Sequence, residues 1–220
     1  MNPDQLWQTV DTQRAQLCDL LADLDDDQWR QPSLCTAWTV RDVAAHLTLQ
    51  QLGPGAVLGQ MLKWRGSIDG TIAHVARLRA TALTTEQLIA EIRATIGSRR
   101  HVFGGTPLEI LCDILVHSQD IAIPLGHHLD LPADAAAVAT SHVLSMRWPP
   151  PLPSVKKIAG LRLTATDTAW STGDGSTVQG PMAAVLLVCC GRTAALPQLT
   201  GDGIAELTTR LAPRPAAGHR

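Results

Sequence analysis

The chain has no tyrosine and a single phenylalanine. No phenolic hydroxyl can therefore serve as a general acid, and most of the aromatic mass rests on six tryptophans. Lysine is also scarce: it stands at 63, 156 and 157, and arginine supplies the other fifteen of the eighteen cations. The basic residues form no stripe, and a net charge of −2 with an isoelectric point near 6.4 argues against a dedicated nucleic-acid binder. No apolar run is longer than the nine residues Met182 to Cys190, against the roughly 20 that a membrane-spanning helix needs. The opening residues Met1 to Gln5 have neither the basic nor the apolar part of a secretory signal. The five cysteines, at 18, 35, 112, 189 and 190, show no C-x-x-C spacing and are odd in number. They read as reduced thiols, and their spacing excludes a zinc finger. These absences predict a soluble, cytoplasmic protein without membrane or nucleic-acid partners.

What is present is a globular composition: 220 residues, 45% hydrophobic and 17% charged, with a mean hydropathy of +0.06. That length is one large domain or two modest ones. Asn2 with Pro3 opens a first helix, and Leu6, Val10, Leu17, Leu20, Leu21 and Leu24 recur at helical spacing. The acidic run Asp23 to Asp27 and Gln31-Pro32-Ser33 interrupt it. Thr39-Val40-Arg41-Asp42 is a near-match to a capping box, and predicts a helix through Val43, His46, Leu47 and Gln50 that Gly53-Pro54-Gly55 ends. A third helical region covers about 56–80, with a kink expected near Gly66. Thr84-Thr85-Glu86-Gln87 opens a helix to about Ile96. Thr106-Pro107-Leu108-Glu109 combines a cap, a proline at the first helical position and a glutamate at the third, and its helix reaches about Ile123 before Pro124. Residues 133–147 supply one more. Several helices on short connectors predict an antiparallel bundle over residues 1–148.

The prolines at 149, 150, 151 and 153 cannot continue a helix and mark a domain boundary. Beyond them Leu161 to Asp167 alternates like a strand, and Ala169–Ser171 and Ser176–Val178 flank Gly173-Asp174-Gly175 as an expected hairpin. Pro181–Cys190 and Gly203–Leu211 read as helices, so residues 154–212 form a small α+β domain, followed by a frayed tail from Ala212 to Arg220. Gly201-Asp202-Gly203 is a turn rather than a phosphate loop.

Asp113 and His117 stand four apart on the Thr106-capped helix, about 40° apart on one face. That spacing lets a carboxylate and an imidazole reach one cation. His46 lies on another helix among apolar neighbours. Two histidines and a carboxylate from two helices would hold a divalent metal and leave coordination positions open. The residues alone leave the plainer alternatives standing: a hydrogen-bonded core histidine at 46, and a local side-chain pair at 113 and 117.

Trp29, then the run from Pro32-Ser33-Leu34-Cys35 through Ala37-Trp38-Thr39 to Ala45-His46-Leu47, resembles the opening signature of the mycothiol-dependent maleylpyruvate isomerase family, among the DinB-like metal-binding four-helix bundles. Leu111 to Ile121 with Pro124-Leu125-Gly126 is similar to its second motif. Leu161–Asp167, Trp170, Gly173-Asp174-Gly175, Gly180-Pro181 and Gly191-Arg192 resemble its small accessory domain. The resemblance implies metal ligation by His46, Asp113 and His117, with mycothiol as thiol cosubstrate. It makes Arg192, the match to an arginine that closes over the active site, a candidate catalytic and cofactor-binding residue, although a helix-capping role is the plain alternative. Trp38 is either a packing anchor or a platform for the thiol. Asp120 could hydrogen-bond an imidazole and set its tautomer. Cys112 points about 100° away from Asp113 on the helix and is not expected to ligate; His101, His127 and His128 read as solvated. Two departures bear on substrate rather than on metal: the founding isomerase has Glu at the position of Asp113, and many relatives have Arg at the position of Ile123.

The expected activity is that of a metal-dependent mycothiol S-transferase or isomerase acting on a small electrophile. Zinc is the leading metal, with Fe2+ and Ni2+ also suited to the ligands. A metal-dependent hydrolase and a non-catalytic DinB-like binding module are the rival readings. Both a monomer and a homodimer are compatible with the sequence.

Overall fold

A computed structural model describes residues 1–147 and 152–212. Most of the proline run, and residues 213–220 of the tail expected to fray from Ala212, lie outside the described residues. The chain divides into two compact units, Met1–Leu131 and Pro132–Arg220.

The first unit is helical throughout. Helix α1 spans Pro3–Ala22, opened by a reciprocal capping box between Asn2 and Gln5. A short α2, Asp26–Arg30, follows; Asp25 caps it together with Gln28, so part of the acidic run expected to break the chain instead starts a new turn. Helix α3 is Val40–Leu47, and its Thr39/Asp42 capping box forms in full. It ends earlier than the sequence predicts, leaving Gln50 in the turns after it. The helical region expected over 56–80 is two helices, α4 Pro54–Met61 and α5 Ile68–Ala82. Gly66 takes φ +83° in the connection between them, and Ser67 caps the second helix. Helices α6, Thr85–Arg93, and α7, Pro107–Ala122, complete the unit.

Helix α1 packs on α6 and α7, while α3 packs on α5, α6 and α7. Leu17, Val43, Leu47, Leu88, Ile92, Leu111, Ile114 and Leu115 are buried between them. Each such side chain contributes about 2 kcal/mol by leaving water. The site described below is carried on α3 and α7, two of the helices that this core holds in register.

In the second unit α8, Ala133–Ser145, packs on α10, Met182–Cys189. The sequence places α8 at the end of the bundle; the structure groups it after the division at Leu131. The reason is complementary surface: Ala135, Ala136, Ala139 and Val143 present a buried small-residue face, and α10 is apolar on all sides. Helix α9, Pro153–Ile158, starts inside the proline segment with Pro153 in its first turn, where a missing N–H costs nothing. A 3-10 turn, Thr193–Gln198, and α11, Ile204–Leu211, close the described chain.

The sheet corrects one expectation. Strand β1 is Leu161–Ala165, β2 is Ser171–Thr172 and β3 is Ser176–Gly180, in the order β2-β1-β3. The segments on either side of Gly173-Asp174-Gly175 therefore do not pair as a hairpin: β2 runs antiparallel to β1, and β3 parallel to it on the other side. The glycines serve a crossing rather than a hairpin turn. A Cβ on Gly173 would lie 2.1 Å from the Leu161 carbonyl oxygen, and one on Gly175 1.8 Å from that of Gly160. Only glycine permits the chain to pass the start of β1 this closely. Among the described residues no helix is long and apolar enough to cross a membrane.

Candidate metal centre

Helix α7 is capped and carries three of the side chains. Thr106 Oγ1 accepts from the Glu109 amide at 3.3 Å, Glu109 Oε2 accepts from the Thr106 amide at 2.7 Å, and Pro107 occupies the first turn. Asp113, His117 and Asp120 follow at intervals of four and three, which places them within about 60° of one face. Helix α3 presents His46 near its end. The segment before α3 is a closed loop. Pro32 and Thr39 form an antiparallel bridge, and Ser33 Oγ donates to the Trp38 carbonyl at 2.9 Å and accepts from the Cys35 amide at 3.1 Å. Ala37 sits at φ 61° in that loop, a conformation costing an alanine of order 1–2 kcal/mol. Arg77 Nη2 donates to its carbonyl at 2.9 Å.

These supports converge. His46 Nε2 lies 3.3 Å from Asp113 Oδ2, and His117 Nε2 lies 3.6 Å from Asp113 Oδ1. The two imidazole rings meet edge to face at 4.9 Å between centroids. One ligand atom from each of His46, Asp113 and His117 lies within 4.8 Å of the others. The side chains are 15%, 36% and 13% exposed, so the cluster is neither solvated at random nor sealed. Burial alone pushes the Asp113 carboxyl pKa up; the neighbouring His46 and His117 and a hydrogen bond from Gln50 outweigh it and hold the group well below the ordinary carboxylate range. Asp113 is thus an anionic donor beside two imidazole nitrogens, and this donor set fits a divalent cation of borderline hardness.

A second cluster shares His117. Its Nδ1 lies 2.8 Å from Asp120 Oδ2, and the same oxygen accepts from Cys35 Sγ at 3.0 Å; Cys35 Sγ is 3.7 Å from His117 Nδ1. The Asp120 side chain is wholly buried, and its backbone carbonyl accepts from the Leu34 amide at 3.1 Å. The imidazole is therefore held at Nδ1, with Nε2 turned toward Asp113. Trp38 lines the same place, its ring stacked 6.5 Å from that of His117 and 5.4 Å edge-on from that of His46.

The structure thus brings together His46, Asp113, His117, Asp120 and Trp38 from the residues singled out in the sequence. Arg192 belongs to the second unit, where its Nη1 donates to the Cys190 carbonyl at the end of α10 at 2.6 Å. Among the described residues, Cys112, His101, His127 and His128 belong to neither cluster; His101 and His128 are exposed, His128 beside Asp130. Two contributors escaped sequence reasoning, Cys35 and Gln50. Each reaches the site from irregular backbone, where no period signals direction. The pairing of Pro32 with Thr39, which folds residue 35 back over α7, is the one local feature that could have signalled it. Burial pushes the thiol pKa of Cys18 and of Cys189 up, which leaves both as unreactive core groups. A groove of about 560 Å3 lined by Leu24, Trp29, Glu86, Ile89 and Arg93 includes none of the metal candidates.

Two imidazoles and one carboxylate, gathered from two helices of an all-helical unit, define a helix-bundle protein with a candidate divalent-metal site. Residues 10–122, more than half of the 220, match the family model described as the mycothiol maleylpyruvate isomerase N-terminal domain, and the chain belongs to that family. Two solved structures share its fold: a mycothiol-dependent maleylpyruvate isomerase, and a histidine-to-alanine mutant of the same enzyme. Each is 15% identical with a TM-score of 0.60, covering 98% of this chain and 96% of that one. No curated protein matches the chain in sequence.

Proposed function

We propose that the protein is a metal-dependent enzyme that uses mycothiol as cosubstrate, either an isomerase or an S-transferase for a small electrophile. The observation that carries this reading is the cluster of His46 Nε2, Asp113 and His117 Nε2, partly exposed and, among the described residues, without a fourth protein ligand within the same reach. An open three-ligand site of this kind belongs to catalytic rather than structural metals. Zinc suits the donors best, and Fe2+ or Ni2+ fit the same set. When bound, such an ion lowers the pKa of a coordinated thiol so that it is deprotonated near neutral pH.

The chain's own residues prepare that chemistry. Asp113 brings one negative charge and keeps it. Asp120 Oδ2 pairs with His117 Nδ1 and so keeps Nε2 available as the ligating nitrogen on the Asp113 side. The Trp38 ring covers one side of the imidazoles and offers an apolar wall for the thiol. Arg192 carries over from the family resemblance, as a catalytic and thiol-binding residue of the second unit. The sulfur adds to an electrophilic carbon; if the carbon–sulfur bond later breaks, after rotation about the former double bond, the outcome is cis–trans isomerisation. If that bond persists, the outcome is S-transfer.

Metal analysis of the native protein tests the reading, with stoichiometric zinc or another divalent ion expected for wild type and none for Asp113→Ala. Assay of maleylpyruvate isomerisation and of electrophile conjugation, each with and without mycothiol, then separates the chemistries. Thiol-independent hydrolysis of the electrophile would make the protein a hydrolase, and a metal-free wild type would leave a binding module. Arg192→Ala is expected to lower turnover with metal content unchanged.

A further inference from the structure

Behind the metal candidates lies a polar chain that begins in the middle of α1. Arg14 is completely buried, an expensive place for a cation unless its donors are used. Its Nη1 donates to the Thr95 carbonyl at 2.8 Å and its Nη2 to Gln50 Oε1 at 3.1 Å; Asp11 Oδ1 lies 3.8 Å from Nη1. Gln50 is itself 5% exposed. Its Nε2 donates in turn to Asp113 Oδ2 at 3.4 Å, the same oxygen that faces His46 Nε2.

The direction of the Gln50 amide follows from chemistry. A guanidinium has donors and no acceptor, whereas an ionised carboxylate has acceptors and no donor. The amide oxygen must face Arg14 and the amide nitrogen must face Asp113. A flipped amide would set N–H against N–H on one side and oxygen against a carboxylate on the other. A buried cation thus locks a neutral side chain, and that side chain holds one oxygen of Asp113.

We propose that Arg14, acting through Gln50, is a positioning residue that sets the orientation of the Asp113 carboxylate and with it the divalent-metal affinity of the site. This rests on the reading of His46, Asp113 and His117 as metal ligands. Hydrogen-bond partners that orient a ligating carboxylate are worth roughly 10- to 100-fold in affinity.

Zinc affinity measured by competition with a chromogenic chelator tests the proposal on full-length wild type, Gln50→Met, Arg14→Gln, Arg14→Lys and the double variant Arg14→Gln/Gln50→Met. Gln50→Met, which fills a similar volume without a donor, is expected to weaken zinc by roughly 10- to 100-fold. Arg14→Gln can donate or accept, no longer dictates the amide direction, and is expected to weaken zinc by a smaller factor; Arg14→Lys, still a cation, should recover most of it. In the Gln50→Met background Arg14→Gln should have no further effect. The visible absorption bands of the cobalt-loaded protein should shift in Gln50→Met, which a purely structural role would not cause. A Gln50→Met affinity within twofold of wild type overturns the proposal, whether or not the Arg14 variants fold. So does an Arg14→Gln effect that persists undiminished without Gln50. A wild type that takes up no zinc, iron or nickel would instead sink the metal reading itself.

Discussion

The two stretches that build the candidate site work differently. On α7, Asp113, His117 and Asp120 occupy successive turns of one capped helix, and each is placed by its neighbours within seven residues. Between residues 31 and 50, by contrast, Cys35 and Trp38 sit in a closed loop, His46 near the end of an eight-residue helix, and Gln50 in the turns beyond it. The same asymmetry reaches the two histidines. His117 is held at Nδ1 by buried Asp120, whereas the buried Nδ1 of His46 has no hydrogen-bond partner among the described residues. One imidazole is oriented by hydrogen bonding, the other by packing against Trp38 and the other ring. Helix α7 therefore forms the rigid half of the site, and the 31–50 stretch folds onto it.

Substitutions can break or sharpen that contrast. The largest effect is expected for His117→Ala, which touches both clusters. It should abolish metal uptake and also destabilise the fold by about 3 kcal/mol by depriving buried Asp120 of its N–H partner, read by urea unfolding of the metal-free protein. His46→Ala should abolish uptake equally and cost less stability, since no hydrogen bond to its Nδ1 is lost. A larger loss of stability from His46→Ala would reverse the assignment of rigid and dependent halves. Next comes Asp120→Ala, expected to weaken zinc by roughly 10- to 100-fold in a chelator competition, with Asp120→Asn, which keeps an acceptor, nearer to wild type. The two helix caps discriminate further. Thr106→Ala should cost about 1 kcal/mol and leave zinc affinity unchanged. Thr39→Ala should cost a similar amount and also weaken zinc, because the Thr39 side chain caps the short helix that carries His46. The smallest effect belongs to Cys35→Ser: the hydroxyl can still donate to Asp120, so stability should stay within about 0.5 kcal/mol, with zinc affinity unaltered.

Much of this architecture is legible along the chain. The boxes at Thr39, Thr84 and Thr106 all form, because a cap depends on side chains and amides within four residues. The i, i+4 relation of Asp113 to His117 follows from helix geometry once Thr106 starts α7. The short α2 was hidden because an acidic run reads equally as a break or as a favourable first turn. The split of α4 from α5 begins at residue 62, four positions before the glycine where a kink is expected, and no residue there announces it. The sheet order was the hardest to see: glycines at 173 and 175 signal a hairpin locally, and only the pairing of β1 with both neighbours shows that they ease a crossing.

What the chain determined by itself is therefore short-range: helix starts, the face shared by 113, 117 and 120, the absence of a membrane-length apolar run, and the family signature around residues 29–47. Tertiary structure alone decided that His46 meets Asp113, that Cys35 reaches Asp120 across 85 positions, and that Arg14 reaches Gln50 across 36. The physical reason is that hydrogen bonds within a turn are set by the backbone geometry of a few residues. Contacts between helices depend on how several apolar faces pack at once, and no single segment encodes that.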